Sequence, residues 1–168
     1  MFHCFAKLIT KGDLVSGRPH DTVRQNQVAA MHEATQLGTR LVKERVPQGV
    51  GGSQNGLFAS IKPDVHPTRA GVIGLISTAY RYGLVVEEGR RPGKKMPPAG
   101  SLKRWVKVKM GVSAKEAEQI EFLVRRKIGR DGIEGVHMFR NTLKEDWQDF
   151  QNIFDRYGVK IARELEQP

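Results

Sequence analysis

The first clear pattern along the chain is a helical stripe of apolar residues between Asp21 and Pro47. Valine, methionine, alanine and leucine recur there at intervals of three or four residues, which places them on one face of a helix. Asp21 or Thr22 can supply the N-cap oxygen, and Pro47 cannot continue the backbone hydrogen bonds. We therefore predict a long helix that begins at Asp21 and ends before Pro47.

Two apolar runs further along the chain predict a β-hairpin. Residues 57–65 alternate imperfectly between apolar and polar side chains, and residues 72–79 are rich in Val, Ile and Leu. The segment 66–71 between them contains proline and glycine, which favour a tight connection. We expect two antiparallel strands here.

The second half of the chain returns to helical patterns. A short helix is predicted after residue 100, and its apolar side would consist of Leu102, Trp105, Val106 and Met110. Ser113-x-x-Glu116 is a capping box, so the next helix begins there and ends near Gly129 or Gly132. We interpret Trp105 as a core residue.

A last helix is predicted up to the end of the chain. Residues 133–139 form a short apolar strand or connector, and Asn141 or Thr142 then offers an N-cap. Apolar residues keep a helical period from Leu143 to Leu165. The order of elements predicts an α+β fold, with a small antiparallel sheet packed against the long first helix and further helices. We predict one domain over residues 1–168, with residues 1–20 as an arm of uncertain structure and the domain proper over 21–168.

Charge is distributed unevenly along the chain. The net charge is +10, from 28 basic and 18 acidic residues, but residues 131–168 hold eight acidic and five basic ones. The densest basic stretch is 90–109, which contains no acidic residue. Such a stretch attracts polyanions or acidic partners, although a solvated cationic loop and helix face is an equally good interpretation.

Residue patterns in the sequence argue against catalysis and against a bound metal or cofactor. Glu87 and Glu88 would point to opposite sides of an extended chain, and the five histidines lack the short spacing of a metal site. Cys4 is the only thiol and has no orienting group beside it. Gly89–Lys95 is one residue too short for a phosphate loop, and Pro92 removes a backbone N–H there. We predict no enzymatic activity, no metal and no cofactor.

Four segments in the right order resemble the family of phage tail-completion and head–tail joining (neck) proteins. They are Pro47 with Gly56–Ile61, Tyr80–Gly89, the helix containing Leu102, Trp105 and Val106, and Gly132–Arg140. The resemblance as a whole, which includes the long first helix and the last helix, covers about residues 21–165. Glu134–His137 departs from the family's small-Arg-Pro stretch, and Glu88 occupies a position that is often aromatic.

This resemblance implies a structural virion protein that forms a ring, usually a hexamer, at the head–tail junction. Such a ring completes or terminates the tail and joins it to the head connector or stopper protein. Its partners would be further copies of itself, the tail-tube protein, the connector and the DNA that passes through the lumen. It would have no membrane partner, and it would reside in the host cytoplasm during assembly and afterwards in the virion.

Two sets of residues are candidates for contacts in that assembly. The basic candidates face either a neighbouring protein, which we favour, or the DNA path, and they are Arg90, Arg91, Lys94, Lys95, Lys103 and Arg104. The second set forms a glycine-rich loop that could order on assembly, and it comprises Gly49, Gly51, Gly52, Ser53, Gln54 and Asn55. The alternative function is a free-standing basic nucleic-acid-binding protein, although aromatic residues are scarce among the cations.

Overall fold

The computed structural model describes residues 4–8, 18–47 and 56–166. Within these ranges the chain forms three strands and seven helices. In chain order they are β1 (Cys4–Leu8), α1 (Arg18–Arg45), α2 (Leu57–Ser60), β2 (Lys62–Thr68), β3 (Gly71–Ser77), α3 (Gly83–Glu88), α4 (Lys103–Met110), α5 (Ala114–Asp131), α6 (Met138–Glu145) and α7 (Trp147–Glu166). The predicted α+β class is confirmed. The glycine-rich loop 49–55 lies outside the described residues.

The sheet has three antiparallel strands in the order β1-β3-β2. The predicted hairpin is formed by β2 and β3, with Thr68 paired to Gly71 at its turn. Strand β2, the first strand of the hairpin, begins at Lys62 and not at residue 57 as predicted, because residues 57–60 form one helical turn, α2. The Ser60 hydroxyl donates to the Leu57 carbonyl at 2.8 Å and stabilises this turn. Ser side chains commonly compete in this way with extended backbone.

Helix α1 packs on the sheet and also contacts α6 and α7. Two glycines allow the close approach: a Cβ atom on Gly74 would lie 2.5 Å from Met31 Sδ, and one on Gly38 would lie 2.5 Å from Ile76 Cδ1. The predicted N-cap at Asp21 or Thr22 is wrong, because the helix begins at Arg18. Pro19 suits a first turn, and Asp21 lies within that turn, where its charge interacts favourably with the helix dipole.

The predicted last helix is two helices, α6 and α7. Thr142 is not a cap, because it is buried within α6 and its hydroxyl donates to the Met138 carbonyl at 2.8 Å. Arg45 at the end of α1 lies beside the break between the helices. Its guanidinium nitrogens lie 3.0 Å from Glu145 Oε2 and 2.9 Å from Asp146 Oδ2. The hydrogen bond to Glu145 is the largest cause that raises the pKa of Arg45.

The chain divides into two compact units, each formed from separate segments. Unit 1 comprises residues 1–45, 61–79 and 138–168, and unit 2 comprises residues 46–60 and 80–137. Unit 1 therefore contains the sheet with α1, α6 and α7, whereas unit 2 contains α2 to α5. The expectation of a single domain over residues 1–168 stays a prediction.

The core of unit 1 lies along α1. Ala34, Phe150 and Ile153 form a buried cluster, and apolar side chains of α1, α6 and α7 pack around it. Nine of the thirteen buried apolar residues described in the chain belong to this unit. Unit 1 thus has the larger hydrophobic core.

The main contact between helices within unit 2 is that of α4 with α5. Val106 and Ala117 are fully buried there. The buried Glu121 side chain of α5 accepts a hydrogen bond of 3.0 Å from the backbone N–H of Leu102, which directly precedes α4. This carboxylate satisfies one of the backbone donors that the start of a helix leaves unpaired.

Candidate assembly surface

The segments 80–89 and 132–140, two of those singled out in the sequence, lie side by side. The backbone N–H of Val136 donates to the Val86 carbonyl at 2.8 Å, and that of His137 donates to the Glu87 carbonyl at 3.1 Å. Arg90 and Ile133 exchange both backbone hydrogen bonds, at 2.7 and 2.8 Å. The segments 80–89 and 132–140 are therefore joined at residues 86–90 and 133–137, although more than forty positions separate them in the sequence.

Glycines make this close approach possible. Gly89 has φ of +75°, and a Cβ atom there would lie 2.5 Å from the Ile133 carbonyl oxygen. A Cβ atom on Gly135 would lie 2.5 Å from the Glu87 carbonyl oxygen. Backbone atoms cannot rotate away from such a clash as a side chain can, so both positions require glycine.

Gly56 and Leu57 also reach this part of unit 2, where they lie beside the Tyr82 hydroxyl oxygen. A Cβ atom on Gly56 would lie 3.3 Å from that oxygen. Partial burial raises the pKa of the Tyr82 hydroxyl, and the hydrogen bond from Leu57 opposes this shift. Segments 56–61 and 80–89 thus meet through Leu57 and Tyr82.

The structure corrects the predicted geometry of Glu87 and Glu88. The two residues end helix α3 and are not extended. One ligand atom from each, together with a ring nitrogen of His137, lie within 4.8 Å of one another. His137 has φ of +53°, and its Nδ1 is buried without a hydrogen-bond partner among the described residues.

These three side chains form a donor set that could hold a divalent cation such as Zn²⁺, with two carboxylates and one imidazole. Both glutamates also have other interactions in the described chain. We assign no metal to this cluster.

The six basic candidate residues do not share one environment. Arg90 is partly buried, and its guanidinium donates to the Lys95 carbonyl, so it folds the segment back on itself. Lys103 lies 3.5 Å from the Glu118 carboxylate. The exposed cations of the set are Arg91, Lys94, Lys95 and Arg104.

The segment 89–100 is irregular and largely exposed, as predicted, but several contacts hold it against α5. The Arg125 side chain donates to the Pro97 carbonyl at 2.7 Å, and the Gly93 N–H donates to the Arg130 carbonyl at 3.3 Å. Gly129 of α5 leaves room for Met96 and the Lys94 carbonyl. The exposed cations of this segment are therefore held in place by backbone and side-chain contacts.

Trp105 is not a core residue, which corrects the sequence-based interpretation. Its side chain is 38% exposed, whereas its neighbour Val106 is fully buried. Helix α4 is short and packs on α5, so only a narrow stripe of its side chains is covered. Trp105 consequently lies at the surface between Arg104 and Lys107, both of which are exposed.

Unit 2 exposes an unusual number of large apolar side chains. Thirteen such residues are at least 37% exposed in the described chain, and ten of them belong to unit 2. They are Tyr80, Tyr82, Met96, Trp105, Val108, Met110, Phe122, Leu123, Ile133 and Val136. Only four of the thirteen buried apolar residues described belong to the same unit.

Sequence reasoning missed most of this surface. It did not single out Val108, Phe122 or Leu123. One signal was available, because three successive apolar residues on a helix spread over about 200° and cannot all face one partner. Leu123 is in fact 60% exposed, and Val124 is the partly buried residue.

Unit 1 offers no comparable apolar surface among its described residues. A cavity of about 30 Å³ lies between α1, β3, α6 and α7, which is too small for an organic ligand. An open groove of about 650 Å³ runs between α1 and α7, with the Arg156–Glu33 ion pair in its wall. Polar side chains line most of this groove.

Charge also distinguishes the two units. Unit 2 contains 14 Lys and Arg residues against 7 Asp and Glu residues, so seven of the ten net positive charges lie there. None of the described helices is long and apolar enough to cross a membrane. The surface features of the described chain that favour binding to a partner are therefore the exposed apolar side chains and the cations of unit 2.

No protein-family model, no curated protein and no solved structure matches the chain.

Proposed function

We propose that this chain is a structural subunit of the head–tail junction of a tailed bacteriophage, and that copies of it assemble into a ring that completes the tail and joins it to the head connector. The contact between the family-like segments is the observation that supports this function most strongly. Segments 56–61, 80–89 and 132–140 meet in unit 2 through backbone hydrogen bonds and glycine contacts.

This convergence matters because random motif matches have no reason to lie together. Gly89 and Gly135 belong to two of these segments, and each accommodates the backbone of the other segment. The segments are therefore packed against each other, although Gly135 itself lies in the stretch Glu134–His137 that departs from the family pattern. A structural role also agrees with the surface of unit 2, because exposed apolar side chains with cations around them are typical of protein contacts.

The proposal can be tested in the phage or prophage genome that encodes the chain. Deletion of its coding sequence should leave filled heads and tails that lack the completing ring, and the two should remain unjoined, as counted by electron microscopy. Expression of the chain from a plasmid should restore joined particles, and a reconstruction of those particles should place it between the portal and the tail tube. Normal joined particles without the chain would reject the proposal.

The exposed cations give a more specific prediction. Replacement of Arg91, Lys94, Lys95 and Arg104 by Gln should reduce the yield of joined particles at least about tenfold, because it removes charges that steer and hold acidic partners. Arg90 is left unchanged, since its guanidinium folds the segment. A control variant loses four exposed cations of unit 1, namely Lys62, Arg69, Lys144 and Arg163, and should complement normally.

The outcome also distinguishes protein contacts from a DNA-lining role. If the Arg91/Lys94/Lys95/Arg104 variant joins heads to tails normally and changes only DNA retention or ejection, these cations face the DNA path. If neither head–tail joining nor DNA retention and ejection changes in this variant, the basic segment has no part in the junction.

A free-standing nucleic-acid-binding protein is the second candidate, and the exposure of Trp105 favours it more than the sequence did. An exposed indole between cations can stack on a base while the cations contact phosphates. The purified chain should then bind a fluorescent 20-nucleotide strand, and the affinity should fall steeply with salt. A Trp105→Ala variant should weaken that binding, and absence of the chain from purified particles would favour this candidate over the junction.

A further inference from the structure

The segment 90–102 lies along helix α5, and the two run in opposite directions. Hydrogen bonds mark this course from the residue pair nearest the end of α5 back towards its middle, and the pairs are Arg90–Ile133, Gly93–Arg130, Pro97–Arg125 and Leu102–Glu121. Each contact further along the segment thus involves an earlier position in or just after α5. We call residues 90–102 the strap.

Arg125 of α5 makes a side-chain contact with the middle of the strap. Its Nε donates to the Pro97 carbonyl at 2.7 Å, and the residue is partly buried. Hydrogen bonds from a charged donor are stronger than those between neutral groups. Pro97 and Pro98 have no backbone N–H, so hydrogen bonds can hold this pair only through its carbonyl groups. The bond from Arg125 therefore fixes a stretch of the strap that cannot donate to α5 itself.

Gly129 allows the strap to lie close to α5 one helical turn further on. A Cβ atom on Gly129 would lie 3.1 Å from Met96 Cγ and 3.2 Å from the Lys94 carbonyl oxygen. Glycine is unfavourable inside a helix, where alanine or leucine would stabilise the backbone. The residue at this position thus suits the contact with the strap rather than the helix that contains it.

The strap has little freedom of its own. The Arg90 guanidinium donates to the Lys95 carbonyl, and three prolines restrict the backbone between Arg90 and Leu102. Both ends are hydrogen-bonded to residues in or next to α5. Loss of the central contact should therefore release the middle of the strap while its ends stay in place.

We propose that Arg125 is a positioning residue, which holds the strap on α5 so that Arg91, Lys94 and Lys95 keep a fixed arrangement before a partner binds. These three cations are exposed. A segment that is ordered in the free chain loses less conformational entropy on binding, which favours affinity without any new contact. The inference rests on the proposed function, in which these cations contact a partner at the junction. It adds a residue outside that set, which acts through the strap.

Matched variants separate this role from charge and from helix stability. Arg125→Met keeps a long side chain but removes the donor, whereas Arg125→Lys retains a cationic donor. Arg126→Met is the control for charge, because Arg126 is exposed and makes no hydrogen bond or ion pair with the described residues. Gly129→Leu should displace the strap by its volume. Its control is Gly158→Leu on α7, where a Cβ atom would meet nothing within 4 Å.

A lysine-specific endoprotease measures how often the strap leaves α5, because cleavage of a locally opened segment follows the population of the open form. Cleavage after Lys94 and Lys95, identified by mass spectrometry, should be at least about tenfold faster in Arg125→Met and Gly129→Leu than in the wild type. It should be unchanged in the two controls and close to the wild-type rate in Arg125→Lys. Hydrogen exchange in α1 should be equal in all chains, because the effect is local.

Complementation of the deleted phage then tests whether the position of the strap matters for assembly. Arg125→Met should reduce the yield of joined particles at least about fivefold, because the cations are no longer held in place. Arg125→Lys should restore most of that yield. Arg126→Met loses the same charge without releasing the strap, so it should complement normally.

Several results would overturn the positioning role. Unchanged cleavage in Arg125→Met would show that Arg125 does not hold the strap, and faster exchange in α1 of that variant would show a general loss of stability instead. Fast cleavage with normal joining would show that an ordered strap is not needed, and an equal loss of joining in Arg126→Met would assign the effect to charge. Normal particles without the chain would reject the proposed function, whereas the cleavage rates would still show whether Arg125 holds the strap.

Discussion

Glycine is required in unit 2 for two different reasons: a backbone conformation that other residues disfavour, and a lack of space for a Cβ atom. Gly89 and Gly93 both have φ above +70°, a backbone conformation that is unfavourable for other residues. They differ in their surroundings, because a Cβ atom on Gly89 would meet the backbone of residues 133–135 whereas one on Gly93 would meet nothing within 4 Å. Substitution of each glycine by alanine therefore separates the cost of the strained φ from the cost of a clash with neighbouring backbone.

We predict that Gly89→Ala is much more destabilising than Gly93→Ala. Gly93→Ala should lower the free energy of unfolding by about 1 kcal/mol, which is the cost of the strained φ alone. Gly89→Ala should add the displacement of the neighbouring backbone and cost about 3 kcal/mol or more in total. Chemical denaturation followed by circular dichroism measures both, and equal costs would show that segments 86–90 and 133–137 are not in contact.

Single residues also show where the sequence misled. Trp105 resembled a core residue because it lies at helical spacing from Leu102, yet α4 buries only Val106 completely. Helical spacing identifies a face but does not say how wide the covered stripe is. Glu87 and Glu88 were placed on an extended chain because apolar residues precede them without a break, whereas Gly83–Glu88 is a helical turn and a half.

Among the helices and strands, the features predicted best from the sequence are those that depend only on residues close together in the chain. The capping box at the start of α5 is present, with Glu116 N–H donating to the Ser113 hydroxyl and Ser113 N–H donating to the Glu116 carboxylate. It needs no tertiary contact, which is why four residues sufficed to predict it. The break between α6 and α7 lies instead beside the tertiary ion pairs of Arg45 with Glu145 and Asp146, and it was not predicted.

The capping box makes a prediction for the pH dependence of stability. Hydrogen bonds from Ser113 lower the pKa of Glu116. A lowered pKa in the folded state gives stability that is present above the pKa of the unfolded chain and is lost as the pH falls through the lowered value. Acidification from neutral pH through the pKa of Glu116 should therefore weaken the start of α5.

Two substitutions isolate this contribution. Ser113→Ala should reduce the free energy of unfolding by about 1 kcal/mol at pH 7, because it removes the N-cap oxygen. Glu116→Gln keeps the side-chain hydrogen bond to the backbone and should lose only the acid-dependent part. Urea denaturation at pH 7 and at pH 3 measures the difference, and an unchanged pH profile in Glu116→Gln would show that Glu116 does not contribute it.

For the whole molecule, the uneven division of the core predicts uneven stability. Unit 1 holds nine of the buried apolar residues and unit 2 holds four, although unit 2 holds ten of the large exposed ones. Regions with few buried contacts open at lower free energy than the rest of a protein. Unit 2 of the free chain should therefore open more readily than unit 1.

Hydrogen exchange measured by mass spectrometry tests this difference. Backbone amides of α4 and α5 should exchange at least about tenfold faster than those of α1 and β3 in the isolated chain, because a smaller core protects them. Concentrated or assembled chain should slow exchange in α4 and α5 specifically. Equal protection of both units in the isolated chain would show that the small core of unit 2 is sufficient by itself.

The order of the segments along the chain has a consequence for synthesis on the ribosome. Unit 1 begins with β1 and α1 and is completed only by α6 and α7, after all of unit 2 has been translated. At about 5–20 residues per second, on the order of 5–20 s pass between Arg45 and Trp147. A nascent or prematurely terminated chain therefore lacks α7 and, with it, Phe150 and Ile153, which form the buried cluster with Ala34. The core of unit 1 is completed only after the last helix has been synthesised.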